Sequence, residues 1–288
     1  MFDATSPCDT PAPHIGQDTA VLQRSEGEVR LAFRRQGRKS VLSRLYQKGA
    51  AKARLPQSQD PSVPEAVLLN TAGGIAGGDR FTVDVQLAKG AAALITTQAA
   101  EKVYRTLGPR AEIHNRVRIA GRARLEWLPQ ETIMFDQARL TRWLDIDMSE
   151  DAELIAMEAV VFGRTAMGER VQSGNLTDGW RVRRAGRLVF VDALRLNGPI
   201  NDRLAGQATA GGAVALAMVI CATPRAADLL DNARAALASV SHATGASCWN
   251  GLVVARLAAP NGLVLRQTLV HLLTALRGGV PLPRVWQC

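Results

Sequence analysis

FTVDVQL at residues 81–87 and LTRWLDIDM at residues 140–148 decide the fold of this chain. In the first, Phe81, Val83, Val85 and Leu87 fall on one side and Thr82, Asp84 and Gln86 on the other. Successive side chains of an extended backbone point to opposite faces, so a period of two is the mark of a half-buried strand. The second stretch repeats the pattern with Leu140, Leu144, Ile146 and Met148, and Arg142 interrupts the otherwise apolar face. Outward from these two, strands are expected at residues 66–69, 92–97, 113–119, 124–128, 154–162, 180–184 and 188–196. Most are short and are separated by Gly, Pro or Asp. That spacing predicts an extended, mainly β body rather than alternating β/α units. The sequence carries no clean repeat, so any solenoidal stacking has to be a property of the structure alone.

The last quarter changes character. Residues 213–222 form the longest apolar run and read as a buried strand. Thr223-Pro224 reads as an N-cap followed by proline at the first helical position, with Leu230, Ala233, Leu237 and Val240 on one face. Strands are expected at 251–258 and 263–267, joined by a Pro260-Asn261-Gly262 turn. A final helix places Leu269, Leu272, Leu273 and Leu276 on one stripe and stops at Gly278-Gly279. These readings give a small α+β flank with two helices at the C-terminus.

With 288 residues, 47% of them hydrophobic and 21% charged, the chain can bury a sizeable core without disulfides or a structural metal. No apolar run approaches the ~20 residues of a membrane span. The first residues, MFDATSPCDTPAPHIGQD, have no basic start and no apolar stretch, which is not the pattern of a secretory signal. We therefore expect residues 1–20 to be a disordered tail and residues 21–288 to be a single β-rich domain in the cytoplasm. The valine, phenylalanine and tryptophan side chains of Val160-Val161-Phe162 and Val285-Trp286 are expected at exposed apolar edges that need a partner.

The formal net charge is +9, and Arg30 to Arg54 holds nine basic residues and no acidic one. A basic RNA-binding β protein is the alternative function that this stretch raises. Only Phe33 and Tyr46 interleave it, however, and single-stranded recognition needs stacking faces. Arginines on solvated faces, or an acidic protein partner, account for the same charge, so no nucleic-acid partner is expected. The four cysteines, Cys8, Cys221, Cys248 and Cys288, form no C-x-x-C pair, which suits a reducing compartment.

The glycine-rich segment NTAGGIAGGD at residues 70–79 resembles a phosphate loop only in spacing. Asp79 stands where a lysine would hold phosphate, and a strand follows where a helix should. Its glycines instead predict positive backbone φ, with Asp79 capping the turn. G-x-S-x-G and H-E-x-x-H are both absent, and His14, His114, His242 and His271 have no partner set by spacing. Catalytic residues and a tightly bound cofactor are expected to be none.

Six segments together resemble the UreD family of urease accessory proteins, called UreH in some organisms: LLNTAGGIAGGDRF (68–81), TTQAAEKVYR (96–105), LEWLPQETIMFDQARL (125–140), VFGRTAMGE (161–169), VDALRL (191–196) and LPRVW (282–286). The resemblance implies a helix-like, stacked β body with a small helical flank. It implies a non-enzymatic scaffold, or metallochaperone, in a hetero-oligomer with the helical protein UreF, the GTPase UreG and apo-urease. Transient Ni²⁺ would pass to the urease active site, by one proposal through an internal water-filled passage. Asp79, Glu101, Glu131, Asp136 and Glu169 lie in these segments and are the candidates for lining a nickel path. Weak carboxylate stations suit a conduit, because tight imidazole or thiolate sites release nickel slowly.

Overall fold

A computed structural model describes residues 23–164 and 167–287. The N-terminal tail with Cys8 and His14, and Cys288, lie outside the described residues. Among the described residues the first strands are β1 (Glu26–Gln36), β2 (Lys39–Gly49) and β3 (Ala51–Arg54), so the basic stretch is a hairpin and its continuation. There follow β4 (Glu65–Asn70), β5 (Arg80–Leu87), β6 (Ala92–Thr97), β7 (Glu101–Val103), β8 (Ala111–Ile119), β9 (Arg124–Leu128), β10 (Thr132–Met134), β11 (Arg139–Met148) and β12 (Glu153–Phe162). β13 (Gly174–Arg184) and β14 (Arg187–Gly198) form a hairpin, then come α1 (Ile200–Ala205), β15 (Ala215–Ala222), α2 (Ala226–Leu237), β16 (Ala243–Trp249), β17 (Leu252–Ala259) and α3 (Gly262–Leu276).

The protein is mainly β, and its middle winds as stacked coils. One sheet runs β14-β13-β11-β8-β5-β1-β2, and the second runs β16-β17-β15-β12-β9-β6-β4-β3. From β5 to β12 the chain steps from one sheet to the other and returns one position further along. Hence β5, β8 and β11 pair in parallel in one sheet, and β6, β9 and β12 in the other. A narrow third side is made by the bridge of Ile75 to Val103 and by β7, β10 and β12 in parallel.

Alternation in each strand sets what lies inside. Val29, Leu31 and Phe33 from the first sheet meet Ile95, Leu125 and Trp127 from the second in the core between the sheets. The opposite face of the second sheet presents Met157, Ala159 and Val161 to Leu265, Leu269, Leu272 and Leu273 of α3. Both faces of β12 are thus covered. This corrects the expectation of exposed apolar edges: Val160, Val161, Phe162 and Trp286 are all buried, and Trp286 seats against the second core while its indole donates to the Leu128 carbonyl.

The C-terminal flank departs from expectation in three places. Residues 263–267 are the start of α3, not a strand. Asn261 is its N-cap, accepting the Val264 amide at 2.9 Å, so the Pro-Asn-Gly turn is a helix start. α2 begins at Ala226 rather than at Pro224, with Thr223 Oγ1 accepting the Arg225 amide and Val240 beyond the last turn. β16, with its Gly, Ser and Thr, carries too little apolar character to read as a strand, yet it pairs with β17 along its whole length.

The glycine-rich segment behaves as backbone geometry requires. Gly73, Gly74 and Gly78 have φ of 77°, 152° and 89°. Asp79 caps the turn with both oxygens, accepting the Ser25 and Ala76 amides at 2.8 Å.

Candidate functional site

Three strands carry charge on a face that otherwise points into the core between the sheets, one residue each in β11 and β12, and Asp178 with Arg184 at the strand end in β13. β11 has Arg142 between Leu140 and Leu144. β13 has Asp178 between Leu176 and Trp180. β12 has Glu158 between Ala156 and Val160. Register places Arg142 directly beside Asp178 in the first sheet, and Glu158 comes to them from the second.

The three form one buried ion cluster. Arg142 donates Nε and Nη2 to the two oxygens of Asp178 at 2.9 and 2.6 Å, and Nη1 to Thr132 Oγ1 at 2.8 Å. Nη1 also lies 2.6 Å from Glu158 Oε2. Glu158 Oε1 accepts the Trp127 indole N–H at 3.0 Å. All three charged side chains are at least nine-tenths buried. Burial opposes the Arg142 charge, but the Asp178 and Glu158 carboxylates outweigh it and hold the guanidinium protonated more firmly than usual. Burial also pushes the Glu158 carboxyl up to about 7, with Arg142 pulling the other way, the Asp178 charge adding to the rise and the indole bond opposing it.

The cluster stands between two cavities. One, of about 360 Å³, is lined by Asn70, Glu101, Trp127, Gln130, Arg142 and Glu158, and exposed Gly73 and Lys102 lie on its rim. The other, of about 480 Å³, is lined by Glu158, Asp178, Trp180, Asp192, Met218 and Arg256, and exposed Ala243 and Arg256 lie on its rim. Glu158 faces both. At the first rim, Glu101 accepts from Asn70 Nδ2 at 3.3 Å, and burial pushes its carboxyl up to about 7 despite that bond.

The five sequence candidates are spread around this interior. Glu101 lines the first cavity. Glu131 pairs with Arg266 of α3 at 3.1 Å, behind the β7 strand to which its carbonyl is bonded. Asp136 and Glu169 share one corner: Asp136 accepts the Ser173 amide, while Glu169 accepts the Asp136 amide and holds Arg164 at 2.8 Å. The Arg164 bond keeps the Glu169 carboxyl below its usual range. Asp79 is the turn cap described above. Sequence reading flagged Arg142 but not Glu158 or Asp178. The same period-two reading of ELIAMEAVVF and NLTDGWRV would have put both on apolar faces.

Among the described residues, no group of three His, Cys, Asp or Glu side chains is arranged to hold a metal, and no helix is long and apolar enough to cross a membrane. The first cysteine of the second sheet, Cys221, is buried, and burial, with Glu153 and Glu126 adding, pushes its thiol up to about 12. The class is thus a two-sheet, stacked-coil β protein with a helical flank and a charge-lined interior.

The family described as UreD urease accessory protein matches residues 25–287. The chain is 48% identical over 271 residues to the urease accessory protein UreD of Methylobacterium sp. (strain 4-46), covering 92% of this chain and 95% of that one. It is 45% identical over 264 residues to that of Rhizobium leguminosarum bv. trifolii (strain WSM2304), covering 92% and 96%. To that of Xanthobacter autotrophicus (strain ATCC BAA-1158 / Py2) it is 45% identical over 282 residues, covering 98% and 96%. This chain belongs to the UreD family of urease accessory proteins. Its role is in urease maturation, in association with that machinery.

Proposed function

We propose that this chain is a non-enzymatic cytoplasmic scaffold that joins a UreF-type helical protein and a UreG-type GTPase to apo-urease, and that nickel crosses its interior on the way to the urease active site. The observation that carries this reading is the pair of cavities meeting at Glu158, each with exposed residues on its rim. The oxygen donors along them are the carboxylates and amide of Asn70, Glu101, Glu158, Asp178 and Asp192, interspersed with the cations Lys52, Lys102, Arg142 and Arg256. Such donors hold Ni²⁺ more weakly than imidazole or thiolate, which favours release over storage. Glu101 is the one sequence candidate on the cavity wall, and Asp79, Glu131, Asp136 and Glu169 are proposed as structural supports around the route. Nickel is cargo here, and GTP hydrolysis belongs to the partner.

The test is reconstitution. Purified apo-urease is supplied with UreF, UreG, GTP and nickel, with and without this chain, and bound nickel is measured. The reading requires co-purification of the three accessory proteins and nickel loading that depends on this chain. Equal loading without it would refute the reading.

A further inference from the structure

We infer that the Arg142–Asp178–Glu158 cluster is a charge gate across the interior, with Glu158 as its moving arm and divalent cations as the species it admits. The inference rests on the reading of the interior as a cation route. It deepens that reading by naming where passage is controlled and by what.

The geometry holds one arm to Arg142 by two bonds and the other by one. Asp178 grips Arg142 through two parallel bonds, and the Thr132 hydroxyl accepts a third. Bidentate pairing of this kind fixes both partners. Glu158 meets the guanidinium through Oε2 alone, and its other oxygen is bonded to a neutral indole. Glu158 is also the member that both cavities share. Rotation of its carboxyl therefore joins the cavities without dismantling the Arg142–Asp178 pair.

Charge decides what passes. With Glu158 ionised, one cation and two carboxylates leave a net charge of −1. With Glu158 protonated the cluster is neutral, and a guanidinium with no spare carboxylate repels a divalent cation. Burial holds the Glu158 carboxyl near 7, so both states are populated around neutrality. The groups facing it are Arg142 from β11, Asp178 from β13 and the Trp127 indole from β9, with Thr132 of β10 reached through Arg142. β15 presents Met218 opposite it, without charge. Farther off, Glu101 and Lys102 lie at one rim, and Asp192 with Arg256, paired at 2.5 Å, at the other. Because the raised carboxyl loses its proton to solvent as pH rises through about 7, the cluster gains its negative charge in that window, and cation passage should rise with it.

The experiment uses the whole assembly of this chain, UreF, UreG and apo-urease. The initial rate of nickel loading is measured from about pH 6 to about pH 8 and divided by spontaneous loading without the accessory proteins. For one group titrating near 7 the expected rise is about tenfold over that range. Glu158→Gln, which fixes the neutral state, should load slowly and lose the pH dependence. Glu158→Asp keeps a charge but shortens the arm, so it should keep a rise with a displaced midpoint. Ala258→Phe, on the wall of the second cavity, should block loading at every pH. If Glu158→Gln loads at the wild-type rate with the wild-type profile while Ala258→Phe blocks, the gate is wrong and the route stands. If Ala258→Phe assembles and loads normally, the route is wrong and the gate falls with it. Should Glu158→Gln not assemble, an unmoved midpoint in Glu158→Asp overturns the gate.

Discussion

Arg142 carries the largest single-residue consequence. Among the described residues its guanidinium is the one cation in contact with both the Asp178 and the Glu158 carboxylate. Removing one member of a buried ionic group costs about 3–5 kcal/mol, because the remaining charges stay desolvated. Arg142→Met should therefore lower the unfolding free energy from denaturant titration by that amount at neutral pH, and the loss should shrink in acid as Glu158 takes up a proton. A loss below about 1 kcal/mol at neutral pH would contradict the geometry. Glu101 gives a second test with the sign fixed by linkage. Its carboxyl is raised to about 7 by burial, so the fold favours its protonated form, and the stability this contributes is lost as pH rises through 7. In Glu101→Gln that loss is absent. The melting temperature of the variant relative to wild type should climb from about pH 5 to about pH 8, and a constant difference would show that Glu101 is not desolvated. Arg142 was legible in sequence because one charge broke an apolar face. Its partners were not, because nothing in linear spacing tells which strands lie side by side in one sheet or face each other across two.

Elements were read well where alternation was strong. β5 and β11 follow from their period-two faces, and β12 from its apolar run. The stacking of the coils was hidden because paired positions recur at unequal intervals: Thr141 stands beside Glu112 on one side and Thr177 on the other. Helix α3 was misread over its first turn, since Pro260-Asn261-Gly262 carries turn chemistry whether a strand or a helix follows. Asn261 decides the matter by capping. Asn261→Ala should cost about 1 kcal/mol and fray the first turn of α3. Urea unfolding followed by circular dichroism measures this, and an unchanged midpoint would remove the cap from the account. Close packing was equally invisible in sequence at Gly179, where a Cβ would stand 2.4 Å from the Trp143 ring. The bare backbone lets the indole lie across β13, with the Arg181 guanidinium 4.4 Å from its centroid.

At the scale of the molecule, the basic stretch is part of a sheet rather than a free arm. Arg30 is bonded to Glu28 and lies over Tyr46, while the neighbouring face pairs Arg116 with Asp84 and Arg181 with Asp145. Interleaved charge of this kind should give only weak binding to generic RNA with a shallow salt dependence. Tight binding with a steep log–log slope would favour the nucleic-acid alternative instead. In the proposed function urease is matured through the interior of this chain, by its shape and charge rather than by a reactive group. The most direct measurement is the nickel content of urease from cells in which this chain is replaced by Leu68→Trp, a variant that enlarges a side chain on the wall of the first cavity, with assembly of the accessory complex confirmed by co-purification. An intact complex and nickel-poor urease are expected. An intact complex with fully loaded urease would contradict the proposed function.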